Sequence, residues 1–181
     1  MAIPPGTYEL TAEHADLLLQ TFTEGAAAAM GHNLTLGVQS WSATVEAGSS
    51  PEESRLEVTA DLTSLAVLGG TGGATPLTES NKRDILKNAA KSLGSAAQPH
   101  LRFTSTGMTG TWADAVVTGD LTVHGSTRPI ELSVAETQPG TAHVRGSVVQ
   151  SDFGIKPFST MLGTLRVRDA VDIEVEVVFE E

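Results

Sequence analysis

The sequence predicts an all-β protein, an antiparallel eight-stranded barrel carrying one substantial α-helix and a short second helix. Three observations carry that prediction. Long segments alternate apolar and polar side chains with a period of two, the pattern of half-buried strands. Turn residues separate these segments, most clearly in VVTGDLTVHGSTRPI (116–130), where two alternating runs flank a Gly-containing turn and read as a β-hairpin. One stretch alone sustains a helical period over several turns. Long strands, with glycines at Gly107, Gly110, Gly119 and Gly146 that permit sharp coiling, favour a closed barrel over a sandwich.

Taken in order, GTYELT (6–11) opens a short strand and Ala15–Thr23 gives a second extended stretch. EGAAAAM (24–30) is alanine-rich and favours a helix of about two turns, with Gly31 as its stop. A long strand then runs over 33–47. Its apolar set begins as Leu34, Leu36 and Val38 and continues as Trp41, Ala43 and Val45, a change of phase that a bulge at Ser40 would produce. RLEVTADLTSLAVL (55–68) alternates as one further strand. GGTGGATP (69–76) is the most flexible segment, and it lacks the GK[ST] ending and βαβ setting of a phosphate loop.

Thr78 is placed to N-cap the main helix, in which Ile85, Leu86, Ala89, Ala90 and Leu93 follow the helical period until Gly94. Lys82, Arg83, Lys87 and Lys91 occupy its wet face. The strand over 98–112, the hairpin, a strand from Thr141 and the closing run AVDIEVEVVFEE complete the set; in the last, Val171, Ile173, Val175, Val177 and Phe179 share one face. No composition break divides the chain, so residues 1–181 read as a single domain large enough to bury a sizeable core.

A net charge of −11 argues against nucleic acid and anionic membranes as partners, since both require dense Lys and Arg. Without cysteine there is no disulfide, thiolate metal site or cysteine nucleophile. No run reaches the roughly 18 apolar residues of a membrane span, and MAIPPGTYELT has neither a basic n-region nor an apolar h-region. The expectation is a cytoplasmic protein without an integral membrane segment.

The five histidines, His14, His32, His100, His124 and His143, form no close ligand pair, so no metal site is expected, and nothing calls for a cofactor. No GxSxG is present, and no residue is assigned a catalytic role. His32 follows a predicted helix end, and Asp152 lies among apolar residues with Lys156 four positions on. Together they define the enzyme alternative, acting on a small hydrophobic substrate. Trp41, Phe153, Phe158, Met161 and Leu162 sit near expected loops and suit either a hydrophobic ligand or the plugging of a barrel end. Periodicity leaves open whether the interior is packed, as an interaction scaffold requires, or holds a ligand.

Several segments resemble one family. Pro99 to Ser105 is similar to the "P-x-I-x-F-x-S" strand of YceI-like proteins, and Gly119 to Ile130 to their "G-x-L-T-I-x-G-x-T-x-P-V" hairpin. Ser151-Asp152-Phe153-Gly154-Ile155 resembles their "R-x-D-F-G-I" segment. The resemblance implies a lipocalin-like barrel with a short second helix near its mouth, acting as a homodimeric, non-enzymatic carrier of a polyisoprenoid, an isoprenoid quinone or a similar lipid. Carried over residue by residue, Leu34, Leu36, Phe103, Leu121 and Phe153 are the expected lining, joined by Trp41. Phe158, Met161 and Leu162 are expected at the mouth, with His32, Lys82, Arg83 and Lys87 as candidates for a headgroup.

Overall fold

The computed structural model describes residues 3–178, so Phe179 of the expected closing strand lies outside the described residues. The strands are β1 (Gly6–Thr11), β2 (Ala15–Thr21), β3 (Thr23–Glu24), β4 (His32–Val38), β5 (Trp41–Ala47), β6 (Arg55–Asp61), β7 (Leu65–Gly72), β8 (His100–Thr111), β9 (Asp114–Val123), β10 (Ser126–Gln138), β11 (Thr141–Val149), β12 (Ser159–Thr160), β13 (Leu165–Val167) and β14 (Ala170–Val178). The helix α1 (Glu79–Leu93) lies between β7 and β8. Eleven strands form one antiparallel sheet in the order β1-β5-β6-β8-β9-β10-β11-β14-β2-β4-β7, and β12, β13 and β3 form a small flap. No described helix is long and apolar enough to cross a membrane.

The expected eight strands are therefore eleven in the main sheet. The runs 33–47 and 55–68, read as single strands, each break in two, whereas the two opening strands, β1 and β2, stand as expected. These interruptions share one level. Thr11 pairs with Ser42 and Leu17 with Val38 across the first ladder. Trp41 pairs with Ala60 and Val38 with Leu65 across the next. The result is a single crease through three neighbouring strand pairs. Because β1 leads into β2 through three residues, the crease draws distant parts of the strand order together and curls the sheet strongly.

Local chemistry holds the crease open. Leu62–Ser64 forms one turn of 3-10 helix, started by Asp61, whose carboxylate accepts from the Thr63 amide at 2.8 Å and hydroxyl at 2.6 Å. The Ser64 hydroxyl donates to the Asp61 carbonyl at 2.6 Å and accepts from the Ser40 amide at 2.9 Å. Backbone groups that would otherwise lose their ladder partners are thereby satisfied. The change of phase expected as a bulge at Ser40 is this break. A true register shift lies instead between Ser105 and Gly107 in β8, and it carries the buried set from Phe103 to Met108.

The β9–β10 hairpin turns on His124 and Gly125, with φ of 52° and 72°, as a two-residue type I′ turn demands. His124 Nδ1 lies 2.9 Å from the Leu93 carbonyl and ties this turn to the end of α1. The helix begins at Thr78 with a capping box to Asn81 and ends at Gly94 in the left-handed region. The second helix shrinks to one 3-10 turn, Ala28–Met30. A segment this short has too few internal hydrogen bonds to nucleate, and its neighbours divert them: the Ala27 amide donates to Thr164 and the Thr23 hydroxyl to Ala28.

Close packing sets one position in the hairpin. A Cβ at Gly119 would lie 2.4 Å from the Phe103 ring and 2.6 Å from the Thr104 carbonyl oxygen, whereas one at Gly69 meets nothing within 4 Å. In urea unfolding, Gly119→Ala is expected to lose about 1–3 kcal/mol through overpacking while Gly69→Ala stays near wild type; equal midpoints would show that β8 and β9 separate freely. At the crease, hydrogen bonds from the Thr63 hydroxyl and then its amide hold the Asp61 carboxyl below its ordinary value. A lowered folded pKa means stability present above the unfolded value and lost as pH falls through the folded one. Thr63→Val keeps the amide, and an NMR titration should find the Asp61 midpoint moved up. A midpoint that stays put removes the hydroxyl from the account.

Candidate functional site

Alternation aims one face of every long strand inward, but the inward side chains do not meet at the centre. They leave two apolar chambers. The outer one, of about 200 Å³, lies under α1, which contributes Ile85, Ala89 and Leu93, and beside the flap, which adds Val167 next to Phe158. The inner one, of about 190 Å³, runs among β5, β8, β9 and β14 and includes Trp41, Phe103, Met108 and Trp112. Leu19, Leu62, Leu101, Leu121 and Ile173 line both and form a waist between them. Leu62 reaches that position from the 3-10 turn of the crease. The fold's main irregularity therefore supplies one of the five residues that the two chambers share.

No charged side chain lines either chamber. The polar lining of the outer chamber is Thr21, Asn88, Ser92 and Gln150, and the Gln150 amide already donates to the Arg168 and Asp169 carbonyls at 3.2 and 3.4 Å. A cavity of this size with apolar walls excludes water and favours apolar molecules. Burial reports the same arrangement. Val171, Ile173 and Val175 face inward on β14 yet are only half-buried, because open space adjoins them.

The expected lining residues divide three ways. Leu34, Leu36 and Phe158 line the outer chamber, Trp41 and Phe103 the inner one, and Leu121 both. Phe153 lines neither. It is almost wholly buried in the cluster around Leu62, Phe103 and Leu121, swung there by a 3-10 turn that ends at Gly154. Met161 and Leu162 also line neither; they form a solvent-exposed turn between β12 and β13, with φ of 52° and 55°.

His32, Lys82, Arg83 and Lys87 likewise stand outside both chambers. Lys82 pairs with Glu79 at 2.8 Å, and His32 Nε2 lies 2.9 Å from the Thr75 carbonyl. Asp152 is exposed, and among the described residues no hydrogen bond or ion pair joins it to His32. Nor do three His, Asp or Glu side chains gather as metal ligands among the described residues. Sequence reasoning missed most of the waist. Leu19, Leu101 and Ile173 were legible as inward-facing, but nothing in the local pattern sets Leu62 apart.

A strongly curled antiparallel sheet, closed by a helix over an uncharged apolar interior, is a lipocalin-like architecture. The YceI-like domain matches residues 8–179, and the chain belongs to the YceI-like family. Among solved structures, BcnA of Burkholderia cenocepacia shares 17% identity at a TM-score of 0.65, over 92% of this chain and 96% of that one. A polyisoprenoid binding domain from Saccharophagus degradans, implicated in plant cell wall breakdown, shares 11% at 0.53, over 95% and 98%. The Campylobacter jejuni YceI protein shares 20% at 0.53, over 82% and 86%. At such identities the likeness concerns the fold. No curated protein matches the chain.

The waist and the exposed turn should respond oppositely to truncation. Leu121→Ala is expected to cost about 2–5 kcal/mol in denaturant unfolding, and Leu162→Ser to stay within about 0.5 kcal/mol of wild type. A comparable loss at Leu162 would mean that the turn packs against the barrel.

Proposed function

We propose that the protein binds and carries a hydrophobic or amphiphilic chain, a polyisoprenoid, an isoprenoid quinone or a similar lipid, threaded through the two chambers. The observation that carries this reading is their adjacency: two apolar spaces share five lining residues and no charged side chain lines them. An extended chain suits such a shape better than a compact molecule does. Each CH₂ taken from water contributes roughly 0.8 kcal/mol before the cost of ordering the chain. Membership of the YceI-like family and the likeness to a domain described as polyisoprenoid-binding support the same class of ligand. The reading includes a homodimer on the family resemblance alone, and a monomer mass in sedimentation at micromolar concentration would remove that part.

Native mass spectrometry of freshly purified protein, followed by organic extraction, tests the carrier reading directly. A stoichiometric lipid is expected, or uptake of an added prenyl lipid by the empty protein. Ala89 lies on α1 and lines the outer chamber. Ala89→Trp fills that space from the helix side, and it should weaken uptake at least tenfold with little change in the thermal midpoint. Undiminished uptake in a folded variant would place the ligand elsewhere.

A further inference from the structure

The negative charge of the chain is unevenly placed. Helix α1, strand β3 and residues 154–169, which carry β12 and β13, hold seven of the 11 Lys and Arg but only four of the 22 Asp and Glu. The strand register sets these elements at one end of the barrel. Thr21, the last residue of β2 before β3, pairs with Leu34; His32, the first of β4, pairs with Gly72, from which the chain runs to α1. Ala170, the first residue of β14 after β13, pairs with Val149, the last of β11. Arg83, Lys87 and Lys91 recur every four residues and make one exposed stripe along α1. Neither they nor Lys156, exposed beside the flap, enter an ion pair among the described residues, whereas Lys82, Arg166 and Arg168 do.

The same end gathers exposed apolar side chains. Of the eight large ones exposed among the described residues, Met30, Phe158, Met161 and Leu162 lie on the flap or against it. Leu162, at 105%, is wholly in solvent at the tip between β12 and β13. Both Met161 and Leu162 have positive φ, where the Cβ of any residue but glycine crowds the backbone. The turn is nevertheless tied. The Thr164 hydroxyl and amide donate to the Met161 carbonyl at 2.7 and 3.2 Å, and the Ala27 amide, beside the turn that bears Met30, donates to the Thr164 carbonyl. An ordered turn that holds a leucine in water contributes nothing to the core, and its use lies in what it meets outside.

We infer that this end of the barrel docks on an anionic lipid bilayer. Met161 and Leu162 enter the boundary between headgroups and acyl chains, and Arg83, Lys87, Lys91 and Lys156 face the anionic headgroups. A small apolar tip flanked by unpaired basic side chains is what interfacial attachment requires. A bilayer adapts to such a tip, whereas a stable protein partner needs a broad complementary patch. The net charge of −11 opposes an anionic surface only where it is spread evenly. Here the acidic excess belongs to the rest of the chain, and repulsion turns that part away from the bilayer. Docking in itself needs no ligand in the barrel. On the carrier reading it brings the covers of the outer chamber, α1 and the flap, against a source of lipid.

The test is cosedimentation of the full chain with vesicles of phosphatidylcholine alone, or of phosphatidylcholine and phosphatidylglycerol in equal parts. Wild type should sediment with the mixed vesicles, come off in high salt and leave the neutral vesicles alone. Lys87→Glu should weaken binding about tenfold. Arg55→Glu alters the net charge equally from the far end of β6 and should stay near wild type. Leu162→Ser should weaken binding several-fold while its salt dependence persists, since it removes apolar contact and no charge. Equal sedimentation with both vesicles, equal losses for Lys87→Glu and Arg55→Glu, or full binding by Leu162→Ser overturns the docking. So does a wild type that sediments with neither; if Leu162→Ser then also turns a dimer into a monomer, the tip belongs to a second copy of the chain. None of these results touches the carrier reading, which lipid extraction decides separately.

Discussion

The interior of this protein depends on one constraint, the satisfaction of backbone hydrogen bonds where three neighbouring strand pairs leave their ladders together. A sheet that bends sharply strands amide and carbonyl groups, and buried ones are costly to leave unpaired. Here Asp61, Thr63 and Ser64 supply the replacements, with the Leu62 amide donating to the Pro99 carbonyl at 2.7 Å. The bend is therefore an ordered element with its own hydrogen-bond pattern. Its position dictates that Leu62 projects into the barrel beside Leu101 and Leu121.

From that crease the two chambers follow. On one side, β1, β5 and β6 continue with the long strands β8 to β11 around the inner space; on the other, β2, β4 and β7 lean toward α1 and the flap around the outer one. Helix and hairpin are locked together where His124 meets the Leu93 carbonyl, so the wall that α1 provides is anchored at its C-terminal end. The flap is anchored by Arg168, whose amide donates to the Phe22 carbonyl at 2.7 Å and whose guanidinium lies 4.2 Å from the Phe22 ring centre. Both covers of the outer chamber thus have a fixed attachment.

Charge is distributed to the same end. The chain carries a net charge of −11, while neither chamber is lined by an ionised group. Ion pairs such as Arg145 with Glu174 and Arg166 with Glu24 are exposed and join neighbouring strands. Pairs of that kind contribute little to stability. On the proposed carrier reading, choice among ligands therefore rests on shape and on the few neutral polar groups of the outer chamber, Thr21, Asn88, Ser92 and Gln150.

By itself the sequence determined the strand faces, the β9–β10 hairpin and α1 with both its caps, because these rest on residue spacing and on the local chemistry of Thr78, Gly94 and Gly125. Short-range propensity overreached at EGAAAAM, where a hydrogen bond to Thr164, more than a hundred residues away, and one from Thr23 leave a single 3-10 turn. Tertiary structure alone decided that 33–47 and 55–68 break at a shared level, that Phe153 fills the core while Leu62 lines both chambers, and that the basic residues of α1 stay outside. The physical reason is common to all of these. Alternation tells which side of a strand faces inward, but a cavity is the space left between walls drawn from strands far apart in the chain. Whether Leu19, Leu101, Leu121 and Ile173 touch across the barrel or leave room between them depends on how sharply the sheet bends, and that is set by all the ladders together.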